Sequence, residues 1–255
     1  MDLSQYFKKA EKEKWALGQF NFYTKEQLAG IIEAARRLKA PVILGTSERQ
    51  SKKLGLKKIV AQVAEYKRKY RHPVFLHLDH GRSFDYIRKA IASGYDSVHF
   101  DGSHLSLKEN IRTTNKVVAL ARKKGIPVEG EVEAIEGVGG RKGDMTNPQK
   151  AAEFVRKTKV ESLAVNIGNV HGIADSGVNP NLDLKRLKEI KRAVGKEPLV
   201  LHGGSGVRAS DIKGAIKFGV VKINIGTEVK QVKTFSKVKK VVEKKIKLFG
   251  SDNKL

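Results

Sequence analysis

The 255-residue sequence contains no cysteine. That excludes disulfides, a thiolate nucleophile and any thiolate metal site, so a bound metal must rest on histidine and carboxylate. Acidic residues are scarce: 27 Asp and Glu stand against 51 Lys and Arg, a formal charge of +24. Long apolar runs are missing too. None approaches the roughly 18–20 residues a membrane span needs. The opening "MDLSQYFKKAEKEKWALG" lacks the apolar core of an export signal, and the expected location is cytoplasmic. The surplus cations are dispersed between apolar positions at helical spacing, as in "KKIVAQVAEYKRKY" and "LDLKRLKEIKRAVGK". This pattern reads as solvated helix faces. Two rival readings are nucleic-acid binding through counterion release and long-range attraction of an anionic substrate. No aromatic-interleaved basic strip and no zinc-finger spacing supports the nucleic-acid reading.

Short β-type runs alternate with amphipathic segments along the chain: "ALGQFNF", "VILGTS", "VFLHLDH", "SVHFDG", "VEGEVEAI", "SLAVNIG", "LVLHGG" and "VVKINIG". Between the first two, Leu28, Ile31, Ile32, Ala35 and Leu38 keep the spacing of a helix face. Leu184, Leu187, Ile190 and Val194 mark another such stripe. Thr24 with Gln27, and Ser106 with Glu109, have capping-box spacing. Asn147–Pro148 suits an N-cap followed by the first helical position. Eight strands, each followed by a helix, predict an α/β fold, a (β/α)8 TIM barrel of this size. With only 6 prolines and no linker-like shift in composition, residues 1–255 read as one domain, ending in a short basic helix at about 228–249.

In such barrels chemistry sits at the C-terminal ends of the strands, and here those ends carry the polar surprises. His80 closes the third run, Asp101 the fourth, and Glu131 or Glu133 the fifth. His171 follows the sixth, His202 lies in the seventh and Asn224 in the eighth. A lone strand-end histidine is ordinarily a hydrogen-bonded structural residue. Three at equivalent ends point to a metal site instead; neutral imidazoles suit zinc, and an open fourth position would make it catalytic. His72, His77, His99 and His104 carry less weight, His99 and His104 reading as supporting or surface groups. The glycine-rich "HGGSG" (202–206) and "NIGTE" (224–228) close the last two strands, where this fold commonly holds phosphate. Small residues there let backbone N–H groups face phosphate oxygens, assisted by the Ser205 and Thr227 hydroxyls.

Taken in order, "LHLDHG", "DGSH", "VEGEVEA", "IGNVHG", "PLVLHGGSGV" and "VVKINIGTE" resemble the class II, zinc-dependent fructose-bisphosphate aldolases and their tagatose-bisphosphate relatives, from about Trp15 to Lys230. The resemblance implies zinc on His80, His171 and His202, with Asp101 and Glu131 approaching the metal or alternative metal positions. It implies Asp79 as catalytic acid/base. It implies a dihydroxyacetone phosphate site at Gly172, Gly203, Gly204, Ser205, Asn224 and Thr227, with Asn21 and Ser47 near the substrate. Lys230 stands where a cation could reach a second phosphate, and a monovalent cation can accompany zinc. The implied reaction is reversible cleavage of fructose 1,6-bisphosphate through a zinc-stabilised enediolate, by a homodimer. A tagatose-bisphosphate or other ketose-phosphate aldolase is the alternative, because Gly226 falls at a position that varies with the epimer. Departures from the pattern are local. "EVEAIEGVGGRKGD" is longer than usual and places Arg141 and Lys142 after Gly139–Gly140, so Glu133 and Glu136 are both candidates for exchanging the carbon-bound proton. An aromatic residue and a lysine expected after "VHG" are absent, and the C-terminal part is short.

Overall fold

Each aliphatic run read from the sequence forms a strand, and the strands close on one another. The structure, a computed structural model, describes residues 1–139, 144–177 and 179–255. The strands are β1 (Leu17–Asn21), β2 (Val42–Ser47), β3 (Val74–Gly81), β4 (Ser97–Asp101), β5 (Val128–Glu131), β6 (Ser162–Ala164), β7 (Leu199–Leu201) and β8 (Val220–Ile225). Neighbours pair in parallel around a closed eight-stranded barrel, β1 bonding to both β2 and β8. The predicted TIM barrel is what the chain forms.

Eleven helices surround it among the described residues: α1 (Leu3–Glu13), α2 (Lys25–Arg37), α3 (Glu48–Leu54), α4 (Leu56–Tyr70), α5 (Phe84–Ser93), α6 (Leu107–Arg122), α7 (Pro148–Thr158), α8 (Leu184–Val194), α9 (Ala209–Lys217), α10 (Thr227–Gln231) and α11 (Phe235–Phe249). Their apolar stripes bury against the outside of the strands: Leu28, Ile31, Ile32 and Ala35 on α2, Leu187 and Ile190 on α8. Asn147 caps α7, accepting from the backbone N–H groups of Gln149 and Lys150, with Pro148 at the first turn. The other two caps are only half of the expected boxes. Thr24 accepts from Gln27 N, but the Gln27 side chain accepts from Tyr23 N instead of Thr24. Ser106 accepts from Glu109 N while its hydroxyl donates to the Glu109 carboxylate.

Three features depart from one helix per strand. β2 is followed by both α3 and α4, broken at Gly55, whose φ of +86° leaves the helical region. The single C-terminal helix expected at 228–249 is two, α10 and α11. The Gln27 amide donates to the carbonyls of Val229 and Val232, satisfying the end of α10. Finally, α1 precedes the barrel. Its Leu3, Tyr6, Phe7 and Ala10 pack with Trp15, Leu17, Ile43 and Val221 at the N-terminal ends of the strands. That end is plugged by apolar side chains, which leaves the opposite mouth for the polar strand ends.

The barrel interior is unusually polar. Gln19, His77, His99, Glu129, Lys222 and Asn224 are all buried there. Buried polar groups of this kind cost stability unless each finds a partner, so their pairing organises the site.

Candidate active site

The site begins with a defect in β3. Its pairing to β4 shifts register between Leu78 and Gly81, and His80 has φ +49°, a left-handed conformation rare for a residue with a Cβ. Such strain costs of order 1–3 kcal/mol and persists where the surroundings hold it. Here it turns Asp79 and His80 to the same mouth. Gly81 is required just beyond, since a Cβ there would lie 2.9 Å from the His99 carbonyl oxygen.

Asp79 is gripped from both sides. The side-chain amide of Asn21 donates to one carboxylate oxygen at 2.8 Å and that of Asn224 to the other at 3.1 Å. Asn21 is itself held by the Gln19 amide at 3.1 Å. Burial alone would raise the Asp79 carboxyl. The charges of His80, His202 and Lys222 and the Asn21 bond outweigh it and hold the group well below the usual carboxylate range. Asp79 is therefore an oriented carboxylate held in its ionised form.

His80, His171 and His202 converge. The ring centroids of His80 and His202 lie 4.6 Å apart, those of His80 and His171 4.9 Å, and those of His171 and His202 5.9 Å. His80 Nδ1 is 3.1 Å from Asp101 Oδ2 and 3.9 Å from Glu131 Oε2. His80 Nε2 and His202 Nδ1 face each other at 3.0 Å. Burial works against protonation of His80, but Asp79, Asp101 and Glu131 overcome it and push the imidazole up to about 9. Burial and the charges of the other two histidines take His171 down to about 3.

A charged chain runs beneath. His202 Nε2 meets Glu129 Oε1 at 2.7 Å, and Glu129 Oε2 accepts from Lys222 Nζ at 2.6 Å. Lys222 reaches His77 Nε2 at 3.2 Å, and His77 Nδ1 meets the Ser97 hydroxyl at 2.7 Å. Glu129 thus orients the ring whose other nitrogen points at the site. Neither Glu129 nor Lys222 was read as functional from the sequence. The available signal was phase: Glu129 stands two residues before Glu131, and Lys222 two before Asn224, so each shares a strand face with a site residue.

The donor set fits a divalent cation. Asp79, Asp101, Glu129 and Glu131 are four buried carboxylates, and within the barrel Lys222 is the buried ammonium that answers them. His99 Nε2 and Glu131 Oε2 are buried without hydrogen-bond partners, 3.4 Å apart. Ligand atoms of Asp79, His80, His99 and His202 cluster within 4.8 Å of one another, as do those of His80, Asp101 and Glu131. His99, which the sequence left between supporting and surface roles, is fully buried, and its Nδ1 accepts from the His80 backbone N–H at 3.2 Å. His104 is at the surface.

Beside this cluster lies a cavity of 190 Å³ lined by Asn21, Asp79, His80, His171, Gly172, Gly203, Ser205, Asn224, Thr227 and Lys230, with Tyr23 and Gly226. Gly203 has φ +63°, and a Cβ there would sit 2.2 Å from the Val170 carbonyl oxygen, so only glycine fits this turn. Gly204 does not line the cavity; its N–H donates to the Asn224 carbonyl and ties the loop after β7 to β8. Buried Asn179 donates to the carbonyls of Gly172 and Ser205, joining the loops after β6 and β7. Glu228 accepts from Gly206 N at 3.1 Å and from Lys245 Nζ of α11 at 2.7 Å. Lys230 adds its cation to the lining of the cavity that holds Ser205 and Thr227.

Three expected residues lie elsewhere. Ser47 caps α3, accepting from Gln50 N, and lines a different cavity next to His80. Glu133 and Glu136 do not line the small cavity among the described residues. Burial raises the Glu133 carboxyl, whose oxygen lies 3.7 Å from Lys150 Nζ. Glu136 is exposed, and its carbonyl accepts from His171 N at 2.8 Å, clipping this loop to the site. Gly140, Arg141 and Lys142 lie outside the described residues.

Comparisons with known proteins agree with this geometry. The family model described as "Fructose-bisphosphate aldolase class-II" matches residues 1–254. A probable fructose-bisphosphate aldolase of Bacillus subtilis (strain 168) is 40% identical over 238 residues, covering 89% of this chain and 81% of that protein. A sulfofructosephosphate aldolase of Alkalicoccus urumqiensis is 37% identical over 227 residues, covering 87% of this chain and 78% of that protein. The crystal structure of the YdjI aldolase from Escherichia coli K12 superposes with a TM-score of 0.87 at 37% identity, covering 99% and 98% of the two chains.

Proposed function

We propose that this chain, which belongs to the class II fructose-bisphosphate aldolase family, reversibly cleaves fructose 1,6-bisphosphate to dihydroxyacetone phosphate and glyceraldehyde 3-phosphate. The observation that carries the reading is the ionised Asp79 carboxylate fixed between Asn21 and Asn224 at the edge of the three-histidine cluster. Tagatose 1,6-bisphosphate is the alternative substrate.

His80, His171 and His202 would hold zinc, which supplies Lewis acidity for the negative charge developing on the ketose oxygen. The small cavity seats the phosphate end against Gly172, Gly203, Ser205, Thr227 and Lys230. Asp79 then accepts the proton of the C4 hydroxyl, the C3–C4 bond breaks, and C4 becomes the aldehyde carbonyl. The electron pair left on C3 is delocalised toward C2, and C3 is protonated before dihydroxyacetone phosphate leaves. Glu133 or Glu136, on the loop clipped to His171, delivers that proton; room for a monovalent cation beside the phosphate belongs to the same reading. So do a cytoplasmic homodimer and a phosphorylated ketose as partner. No helix among the described residues is long and apolar enough to cross a membrane. The rival nucleic-acid reading gains nothing from the placement of charge: Lys57 and Lys58 on α4, Lys185 and Lys188 on α8, and Lys240 and Lys244 on α11 are spread over separate exposed helix faces.

A coupled assay of triose phosphate release from fructose and tagatose 1,6-bisphosphates tests the proposal. Release from at least one is expected; none from either, with zinc bound, contradicts it.

A further inference from the structure

Most of the surplus charge is spread over separate helix faces, but at one place it gathers. A cavity of 470 Å³ is ringed by Lys14, Lys188, Lys191, Arg192 and Lys217, with Phe218 and Gly219 completing its lining. Three elements bring these cations together. Lys14 caps the end of α1, Lys188, Lys191 and Arg192 lie on α8, and Lys217 ends α9. Gly219 leads straight into β8 at Val220, and α1 plugs the N-terminal ends of the strands. The cavity is therefore at the end of the barrel opposite the histidine cluster.

Among the described residues the lining contains no acid. Lys191 is already engaged, its Nζ lying 2.6 Å from Glu11 Oε1 and donating to the Glu197 carbonyl at 2.7 Å. Gly219 leaves room for this side chain: a Cβ there would stand 2.9 Å from Lys191 Cε. Lys188 Nζ lies over the Phe218 ring, 4.3 Å from its centroid, a contact made without an acid. Lys14, Arg192 and Lys217 are exposed and have no ion-pair partner among the described residues. A cation in the last turn of a helix complements the carbonyl end, and one per helix meets that need. Here α8 alone supplies three. Like charges gathered around one space repel one another until an anion enters it.

We propose that this cavity binds an oligophosphate, the chemistry shared by inorganic triphosphate and the phosphate tail of a nucleoside triphosphate. Lys14, Lys188, Arg192 and Lys217 are the recognising groups. A single negative charge would answer one of the four cations that Glu11 leaves unpaired. A chain of phosphates carries several charges and bridges groups held on separate helices, and the Arg192 fork suits two oxygens of one phosphate. Lys188 covers the Phe218 face, so recognition rests on the phosphates and not on stacking of a base. The volume of 470 Å³ lies within the usual range of small-ligand pockets, about 300–1,000 Å³. The proposal stands whichever sugar is cleaved at the other end of the barrel, because this lining shares no residue with the small cavity.

Equilibrium dialysis of the zinc-loaded protein against labelled inorganic triphosphate and, separately, labelled ATP tests this at about 150 mM salt, where diffuse attraction is largely screened. Zinc content is measured afterwards to show that the probe has not stripped the metal. Saturable binding at one site per chain is expected for both, undiminished by excess dihydroxyacetone phosphate, and the tighter of the two identifies the source. The Lys14→Ala/Arg192→Ala/Lys217→Ala variant changes exposed side chains only and should keep the wild-type melting temperature. It should bind about tenfold more weakly or worse, the worth of lost charge-assisted hydrogen bonds. A control, Lys57→Ala/Lys58→Ala/Lys240→Ala, removes the same charge from dispersed faces and should bind as the wild type does. Equal weakening in the two variants would show that net charge and not this cavity holds the anion, and would overturn the proposal. So would the absence of saturable binding, or displacement by dihydroxyacetone phosphate. A single-stranded RNA that outcompetes both phosphates and is lost in the same variant would assign the surface to nucleic acid, and would overturn it too.

Discussion

Asp79→Asn retains its zinc and loses about 10²–10⁴-fold in the rate of ketose bisphosphate cleavage, the usual worth of a positioned proton-transfer group. The change is nearly isosteric and removes the base. Asp79 accepts from two amide groups, Asn21 and Asn224, on opposite oxygens. An asparagine there presents one carbonyl oxygen and one NH2, so one of those contacts becomes donor against donor. A buried mismatch of that kind costs about 1–3 kcal/mol, and a lower melting temperature should accompany the loss of rate. Elemental analysis separates loss of the base from loss of the metal. Zinc content equal to wild type with a depressed kcat is the expected pair of results. Normal turnover would remove Asp79 from this role.

Lys222→Met should be the most destabilising single change in the barrel. Lys222 and Glu129 are 1% and 2% exposed in their side chains and meet at 2.6 Å. Removing one partner of a buried pair leaves an uncompensated charge, typically at a cost of about 3–5 kcal/mol. The effect should reach the metal as well. Glu129 Oε1 holds His202 Nε2 at 2.7 Å, and loss of such an orienting partner typically lowers metal affinity by about 10–100-fold. Urea unfolding in the presence of chelator reads the first effect, and competition with a chelator of known affinity reads the second. The double variant Lys222→Met/Glu129→Gln should recover much of the stability and little of the affinity. A stability within 1 kcal/mol of wild type in the single variant, with unchanged affinity, would show that the pair does not support His202.

Much of this arrangement was legible before the fold. The strands were visible because their aliphatic runs are bounded by glycines and capping residues, and the strand-end histidines stood out against that background. The rings of His80, His171 and His202 and the Asp79 carboxylate lie at one mouth, whereas the ligand atoms within 4.8 Å of one another are those of Asp79, His80, His99 and His202, without His171. What the sequence hid was the interior. Glu129 and Lys222 sit inside runs that read as core; strand phase puts each on the face of a site residue, but local pattern cannot show that the two side chains meet across the barrel. His77 and His99 were ambiguous for the same reason. Lys230 illustrates a different limit. The sequence offered it to a second phosphate; α10 begins one residue after β8 and brings Lys230 to line the same cavity as Gly203, Ser205 and Thr227, a placement that follows from the helix and not from local pattern.

The central claim is that cleavage depends on a metal held by the strand-end histidines. The most direct measurement is triose phosphate release before chelation, after exhaustive EDTA treatment and after zinc is restored. Activity lost to the chelator, regained with about one zinc per chain as a single three-histidine site implies, and not regained in a His171→Ala/His202→Ala variant is the predicted result. Cleavage that survives complete removal of metal would contradict it.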